Sequence, residues 1–159
     1  MSKAIDEPGL GTLEDERQII RILTLYNTWL DSREIERIGT EVFAADAVAD
    51  YNSDILEGSR AIVDYIASSM TLFRESAHVL SNVLLKSCDG DHAEVTAVQT
   101  VWLWVNESTA EGVPNWTDFA NIFFTWDRLE RRPEGWRVIE HRTRVRGSSI
   151  ALTAGPVAV

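Results

Sequence analysis

The sequence predicts an α+β fold in which three N-terminal helices, with one short strand among them, carry a cone-shaped, curved antiparallel sheet. Three observations lead there. Apolar residues recur at three- and four-residue spacing from Ile19 to Phe73, the period of a helix with one buried face. From Ala77 onward they alternate, the period of a strand. Turn-forming clusters at Asp89, Gly90 and Asp91 and at Pro133, Glu134 and Gly135 cut the alternating region into long strands. Helices first and strands afterwards is the order of an α+β domain.

Thr12 and Asp15 have capping-box spacing, so the first helix is expected from Leu13. Its buried stripe is Ile19, Ile22, Leu23, Tyr26, Trp29 and Leu30. A shorter second helix is expected from about Arg33 to Phe43, burying Ile35, Ile38, Val42 and Phe43, with Gly39 weakening its middle by about 1 kcal/mol. Asp31 stands at the joint. A short strand over Ala47–Asn52 follows, and Gly58 and Ser59 open a third helix whose Ile62, Ile66, Met70 and Phe73 share a face. Four long strands come next: Ala77–Ser87, His92–Glu107, Trp116–Glu130 and Trp136–Arg146, with a loop containing Gly112 and Pro114 in the middle. Long twisted strands curl over the helices and leave a cavity between the first helix and the concave face. One domain over 13–146 is expected, with an N-terminal arm over 1–12 and a tail of small and apolar residues over 147–159.

Composition narrows the function. With 159 residues, 45% of them hydrophobic, the chain can build one real core. Fifteen Lys and Arg against 25 Asp and Glu leave a net charge of −10, which repels phosphate backbones, so no nucleic-acid partner is expected. The single Cys88 and three scattered His form no zinc spacing, and no Gly-rich phosphate loop is present, so neither metal nor cofactor is expected. Met1 to Gly11 has neither the basic nor the apolar run of a signal peptide, and no apolar stretch approaches a bilayer span, which points to a cytoplasmic protein without a membrane.

Several short segments carry a resemblance. They are Tyr-Asn-Thr-Trp-Leu-Asp at Tyr26–Asp31, Ala49–Tyr51, Glu57–Ser59, Ser-Ala-His at Ser76–His78, Ser81 with Asn82, and Gly-Trp-Arg-Val at Gly135–Val138. Together they make the chain, over about Leu13 to Arg146, similar to the nuclear transport factor 2-like superfamily, in its polyketide-cyclase (SnoaL-like) branch. The resemblance implies a cystatin-like α+β barrel and a function among dehydratases, isomerases, cyclases, dehydrochlorinases and proteins with no chemistry. Its scytalone and bile-acid 7α-dehydratases pair an Asp ending the first helix with a His opening a strand, and Asp31 and His78 match those positions. Tyr26 and Tyr51 fall where those dehydratases place pocket tyrosines. Gln99 stands where scytalone dehydratase has a second pocket His, and Trp104 where the bile-acid enzyme has an acid, so a leaving group must be assisted differently here.

Residue by residue, each position has two readings. His78 is either a general base, since a neutral imidazole takes a proton near pH 7, or a core His tied to backbone. Asp31 sits where the helix dipole disfavours a carboxylate; it caps the second helix with Glu34 or receives the His78 ring N–H, and its two oxygens allow both at once. Tyr26 and Tyr51 either pack or donate to a substrate carbonyl. Asn121 and Thr125 alternate onto one strand face that reaches a substrate oxygen, with Phe123 between them and Gln99 and Trp104 completing the expected binding wall. His141, which faces opposite to Arg142, Arg144 and Arg146, is the rival imidazole. Trp102 and Trp104 share one face, and if that face is outside, the apolar surface predicts a homodimer through the sheet.

These expectations combine into a cofactor-independent lyase or isomerase, dehydration first, that acts on a small apolar oxygenated molecule such as a polyketide, steroid-like or terpenoid intermediate. The alternatives are a polyketide-type cyclase using the same Asp-His pair and a non-catalytic small-ligand-binding or accessory protein.

Overall fold

Helix α1 (Leu13–Asp31) starts where the capping box places it: the Thr12 hydroxyl accepts the Asp15 amide, and the Asp15 carboxylate accepts the Thr12 amide in return. The computed structural model describes residues 9, 11–106 and 118–152. The expected arm before Gly9, the loop with Gly112 and Pro114, Trp116, and the end of the tail lie outside the described residues.

After α1 the chain departs from the expected second helix. A single α-turn, α2 (Ile35–Arg37), widens into a π-turn over Ile38–Val42, and Phe43 already begins strand β1 (Phe43–Tyr51). The expected apolar contacts survive, since Ile35, Ile38, Val42 and Phe43 are all buried. Gly39 has a packing reason: a Cβ there would stand 2.8 Å from Val63 Cγ2 on the third helix, so any side chain would push the two elements apart. Asn52 and Ser53, both at positive φ, turn β1 back into the short strand β2 (Asp54–Glu57), which the alternation of the sequence did not suggest. Helix α3 (Ser59–Met70) follows Gly58 and buries Ile62, Val63 and Ile66. Phe73 does not continue that face but begins strand β3 (Phe73–Cys88), earlier than Ala77.

The remaining strands are β4 (His92–Val105), β5 (Phe119–Arg132), β6 (Gly135–Val145) and the short β7 (Ile150–Ala151). Among the described residues the sheet runs β2-β1-β6-β5-β4-β3, with β7 added beside β5 where β6 has ended. It is antiparallel except at one joint, because β1 pairs with β6 in parallel. The expected all-antiparallel sheet is thereby corrected to a mixed one, and the barrel is not closed. Residue patterning specifies which face of a strand is apolar but not which strand lies beside it, so the parallel joint had no signal in the sequence.

The core lies between the helices and the concave face of this cone-like sheet. Ile19, Leu23, Tyr26 and Leu30 of α1 meet Val95, Leu129, Trp136 and Val138 of the strands. Each such side chain contributes about 1.5–3 kcal/mol on burial, and that gain secures α1 across the sheet. The convex face is different in kind. Val79, Leu84, Ile122 and Phe124 are exposed there, beside Trp102 and Trp104. Among the described residues no helix is long and apolar enough to cross a membrane.

Asp15 ties the start of α1 to the far end of the sheet. Besides its capping role, its carboxylate accepts from Arg131 on β5 and, at 3.4 Å, from the Trp136 indole on β6. The Arg131 guanidinium, followed by the Thr12 donors, holds its pKa well below the ordinary carboxylate value. A depressed folded-state pKa adds stability above the unfolded value of about 4, and that stability fades as pH falls below it. Asp15→Asn is therefore expected to cost about 2–3 kcal/mol at pH 7 and to flatten the loss of stability between about pH 4 and pH 2, measured by urea unfolding across that range.

Candidate active site

The end of α1 is built to carry an acid. Its last turn closes as a Schellman motif, with the Glu34 amide donating to Trp29 O at 3.0 Å and the Arg33 amide to Leu30 O at 3.3 Å. The left-handed position that this motif needs is filled by Arg33 at φ 63°, not by glycine. The guanidinium gives a reason, since Nη1 donates to Leu30 O at 3.1 Å and to Ser76 Oγ at 3.0 Å, and Nη2 to Phe73 O at 3.3 Å. It thus joins the helix end to the start of β3 and brings positive charge to the negative end of the helix dipole.

Asp31, the final residue of α1, sits inside that joint. Its Oδ1 accepts the Ser76 hydroxyl at 2.8 Å and faces His78 Nδ1 at 2.6 Å, while Oδ2 accepts the His78 backbone amide at 2.8 Å. The alternative capping reading is overturned, because α2 begins at Ile35 and its N-cap position is Glu34, with no side-chain cap. Burial pushes the Asp31 pKa up, but the hydrogen bonds from the His78 ring, the His78 amide and Ser76 outweigh it and hold the carboxyl below its ordinary value. An ionised Asp31 at Nδ1 sets the His78 tautomer, with the proton on Nδ1 and the Nε2 lone pair free. Ser76 and Arg33 entered the sequence reading only as motif and helix-end residues. Their support of Asp31 is a contact 40 or more positions away, with no local signature.

The His78 ring borders a cavity of about 220 Å³ between α1, α3 and the concave sheet. Leu30, Ile66, Met70, Phe73 and Phe123 make its wall largely apolar, and Tyr26, Tyr51, Gln99, His141 and Thr143 supply the polar groups. That size is below the common range of about 300–1,000 Å³ for drug-sized ligands, so it suits a small molecule. The Tyr26 and Tyr51 hydroxyls are 2.9 Å apart. One donates to the other, which leaves a single phenol proton for a ligand. Burial pushes both phenols well above their ordinary pKa, so both remain neutral donors across the physiological range.

The other expected wall residues divide. Phe123 lines the cavity and Thr125 a small adjoining pocket. Gln99 reaches the cavity, but its amide donates to Asn27 of α1 and so is partly occupied. Asn121 shares the concave face without lining the cavity, and its Oδ1 is buried with no partner among the described residues. Trp104 is corrected outright. It stands beside Glu75 on the convex face, one residue out of phase with Val101 and Leu103, which line the cavity.

Sequence reasoning missed one arrangement. His141 Nδ1 lies 2.7 Å from Asp127 Oδ1, and both side chains are buried directly opposite each other on β6 and β5. Asp127 continues the inward-facing series Asn121, Phe123 and Thr125, so its face was legible. That it meets His141 depends on the register of two strands. Among the described residues no group of three or more His, Cys, Asp or Glu side chains is placed to hold a metal ion.

Comparison with known proteins places the fold among others of its shape. The family model of the SnoaL-like domain matches residues 11–142. A scytalone dehydratase-like protein of Novosphingobium aromaticivorans superposes with a TM-score of 0.75 at 18% identity, covering 92% of this chain and 95% of its own. The LinA-type3 hexachlorocyclohexane dehydrochlorinase of Novosphingobium barchaimii gives 0.74 at 14% identity, covering 91% and 96%. A dehydratase-like protein of the NTF2-like family from Streptomyces avermitilis gives 0.73 at 16% identity, covering 85% and 98%. No curated protein matches the chain in sequence.

Arg33 separates backbone strain from side-chain bonding. Arg33→Ala keeps the left-handed strain and loses three hydrogen bonds, whereas Arg33→Gly loses the same bonds but relieves the strain. The glycine variant is expected to be the more stable of the two by about 1 kcal/mol in urea titrations, and the opposite order would remove the strain argument.

Proposed function

The chain belongs to the SnoaL-like domain family, and we propose that it is a cofactor-independent lyase or isomerase that removes a proton from carbon beside a carbonyl, with loss of water as its first reaction. The observation that carries this reading is the Asp31–His78 contact of 2.6 Å at the wall of a small, mostly apolar cavity. Two of the similar structures are described as a dehydratase-like protein and a dehydrochlorinase, and both words denote loss of a small molecule by elimination. At identities below 20% they support the class of reaction and leave the substrate open.

In this reading His78 Nε2 takes the proton, and Asp31 holds the ring and balances the positive charge that develops on it. The free phenol proton of the Tyr26–Tyr51 pair donates to the carbonyl oxygen as it gains charge. Two phenols in series offer one oriented donor in a site with little water, where such a bond is stronger than in solvent. The apolar walls favour an oxygenated hydrocarbon of the polyketide, steroid-like or terpenoid kind. Isomerisation or ring closure uses the same enolate and differs in where the proton returns or what the enolate attacks.

The test offers a panel of small β-hydroxy ketones to the protein and follows the conjugated product by absorbance. His78→Ala is expected to lower turnover by about 10²–10⁴ with the fold intact. Asp31→Asn is expected to lower it to a similar degree, because an amide holds the ring without stabilising its cation. Wild-type turnover that survives His78→Ala would move the base elsewhere, and a wild type inert to the whole panel would favour a ligand-binding protein of the same shape.

We also infer that two copies pair through the convex face. Val79 and Leu84 on β3 and Ile122 and Phe124 on β5 are 38–60% exposed on it, on either side of β4. A two-fold contact of that face with itself covers the same surface on both copies. Sedimentation is expected to show a dimer at micromolar concentration, and Phe124→Glu to shift it to monomer by placing two carboxylates in an apolar contact.

A further inference from the structure

The reaction read above needs an acid as well as a base, and His78 is the only one of the two imidazoles at the cavity with a role so far. Gln99 cannot supply the proton, since an amide does not ionise and its NH₂ is engaged by Asn27. The second imidazole comes from another strand. His141 borders both the main cavity and its small extension, its Nδ1 is taken by Asp127, and its Nε2 has no hydrogen-bond partner among the described residues. Two residues along the same face of β6, Thr143 is only 5% exposed, lines the same cavity, and has a hydroxyl oxygen without a partner among the described residues. An unsatisfied polar group is costly to bury, and this one lies in the cavity wall beside His141.

Helix α1 spans the two imidazoles. Asp31 touches His78, while the Tyr26 ring packs on His141 with centroids 5.5 Å apart. Five residues separate those two positions on the helix, a rise of about 7.5 Å. Both imidazole-bearing residues line the same cavity, so a ligand bound there lies between the two.

We propose that Asp127 and His141 are a second acid–base pair, with His141 as the catalytic acid that protonates the departing oxygen. The inference rests on the reading of His78 as the base. His78 Nε2 takes the proton from carbon, and the electrons of that C–H bond become the new C=C bond. The C–O bond breaks with its pair on oxygen, and that oxygen takes the proton of His141 Nε2 and leaves as water. Asp127 balances the ring charge before the transfer. His78 ends protonated and His141 neutral, and one proton passed through solvent from the first to the second restores both.

Two probes separate the steps. Benzylacetone in D₂O has no leaving group, so deuterium uptake beside its carbonyl, read by NMR, reports proton removal alone. Its β-hydroxy derivative reports the full elimination through formation of benzylideneacetone. His141→Gln is expected to keep deuterium uptake within about three-fold of wild type while dehydration falls by about 10² or more. His78→Ala is expected to lose both. Asp127→Asn, which keeps a hydrogen bond to the ring but not the charge, is expected to behave like His141→Gln, and it decides the matter if His141→Gln lacks a native near-ultraviolet circular dichroism spectrum. Dehydration within ten-fold of wild type in a folded variant, or uptake and dehydration falling together, overturns the role of His141 while leaving that of His78 standing. A wild type that supports neither reaction, or a His78→Ala variant that supports both, overturns the lyase reading, and the acid role goes with it.

Discussion

Asp31 holds the structure together where the end of α1 meets the start of β3. A carboxylate at the C-terminal end of a helix faces the negative end of the dipole, and here it is also partly withdrawn from water. It persists because four donors converge on the joint: the Ser76 hydroxyl, the His78 amide and the His78 ring reach Asp31 itself, and the Arg33 guanidinium anchors Ser76. Those bonds do two things at once. They fasten α1 to β3 by main-chain and side-chain contacts, and they orient the imidazole of His78, a residue that lines the cavity. Loss of the carboxylate would therefore disturb the packing of the joint and the orientation of the His78 ring together.

The concave face follows the same rule that buried polar groups occur in partnered sets. Asn27 meets Gln99, Asp127 meets His141, and Tyr26 meets Tyr51. Each pair satisfies most of its own demand, and each still leaves a donor or acceptor over. The residues that carry these remainders line one volume: His78, His141, Tyr26 and Tyr51. An apolar wall around them lowers the local dielectric, which strengthens whatever bonds a ligand makes there and penalises any group left unmatched.

Much of this was readable in the residues one at a time. The capping box, the α1 stripe, the alternation of the long strands and their turns fell close to the observed bounds, because each depends on neighbours within four positions. The stretch after α1 was not: the expected second helix is a single turn that widens into a π-turn over Ile38–Val42, and the close approach of Gly39 to Val63 on another helix has no local signal. Trp104 was placed on the wrong face for a related reason. Alternation says that Trp102 and Trp104 lie together, but it cannot say which face is concave.

Local chemistry therefore settled the elements, the burial stripes and the residue types able to move a proton, because periodicity and capping act within a turn or a hairpin. Long-range register settled the rest. Asp127 stands opposite His141, and β1 lies parallel to β6, through pairings between strands that alternation leaves open by any even number of residues. Ser76 and Arg33 meet across 43 positions because the curl of the sheet brings β3 to the end of α1. Side-chain identity carries no record of that approach. It arises only when the whole sheet twists over the helix and the chain's apolar surface is buried in one volume.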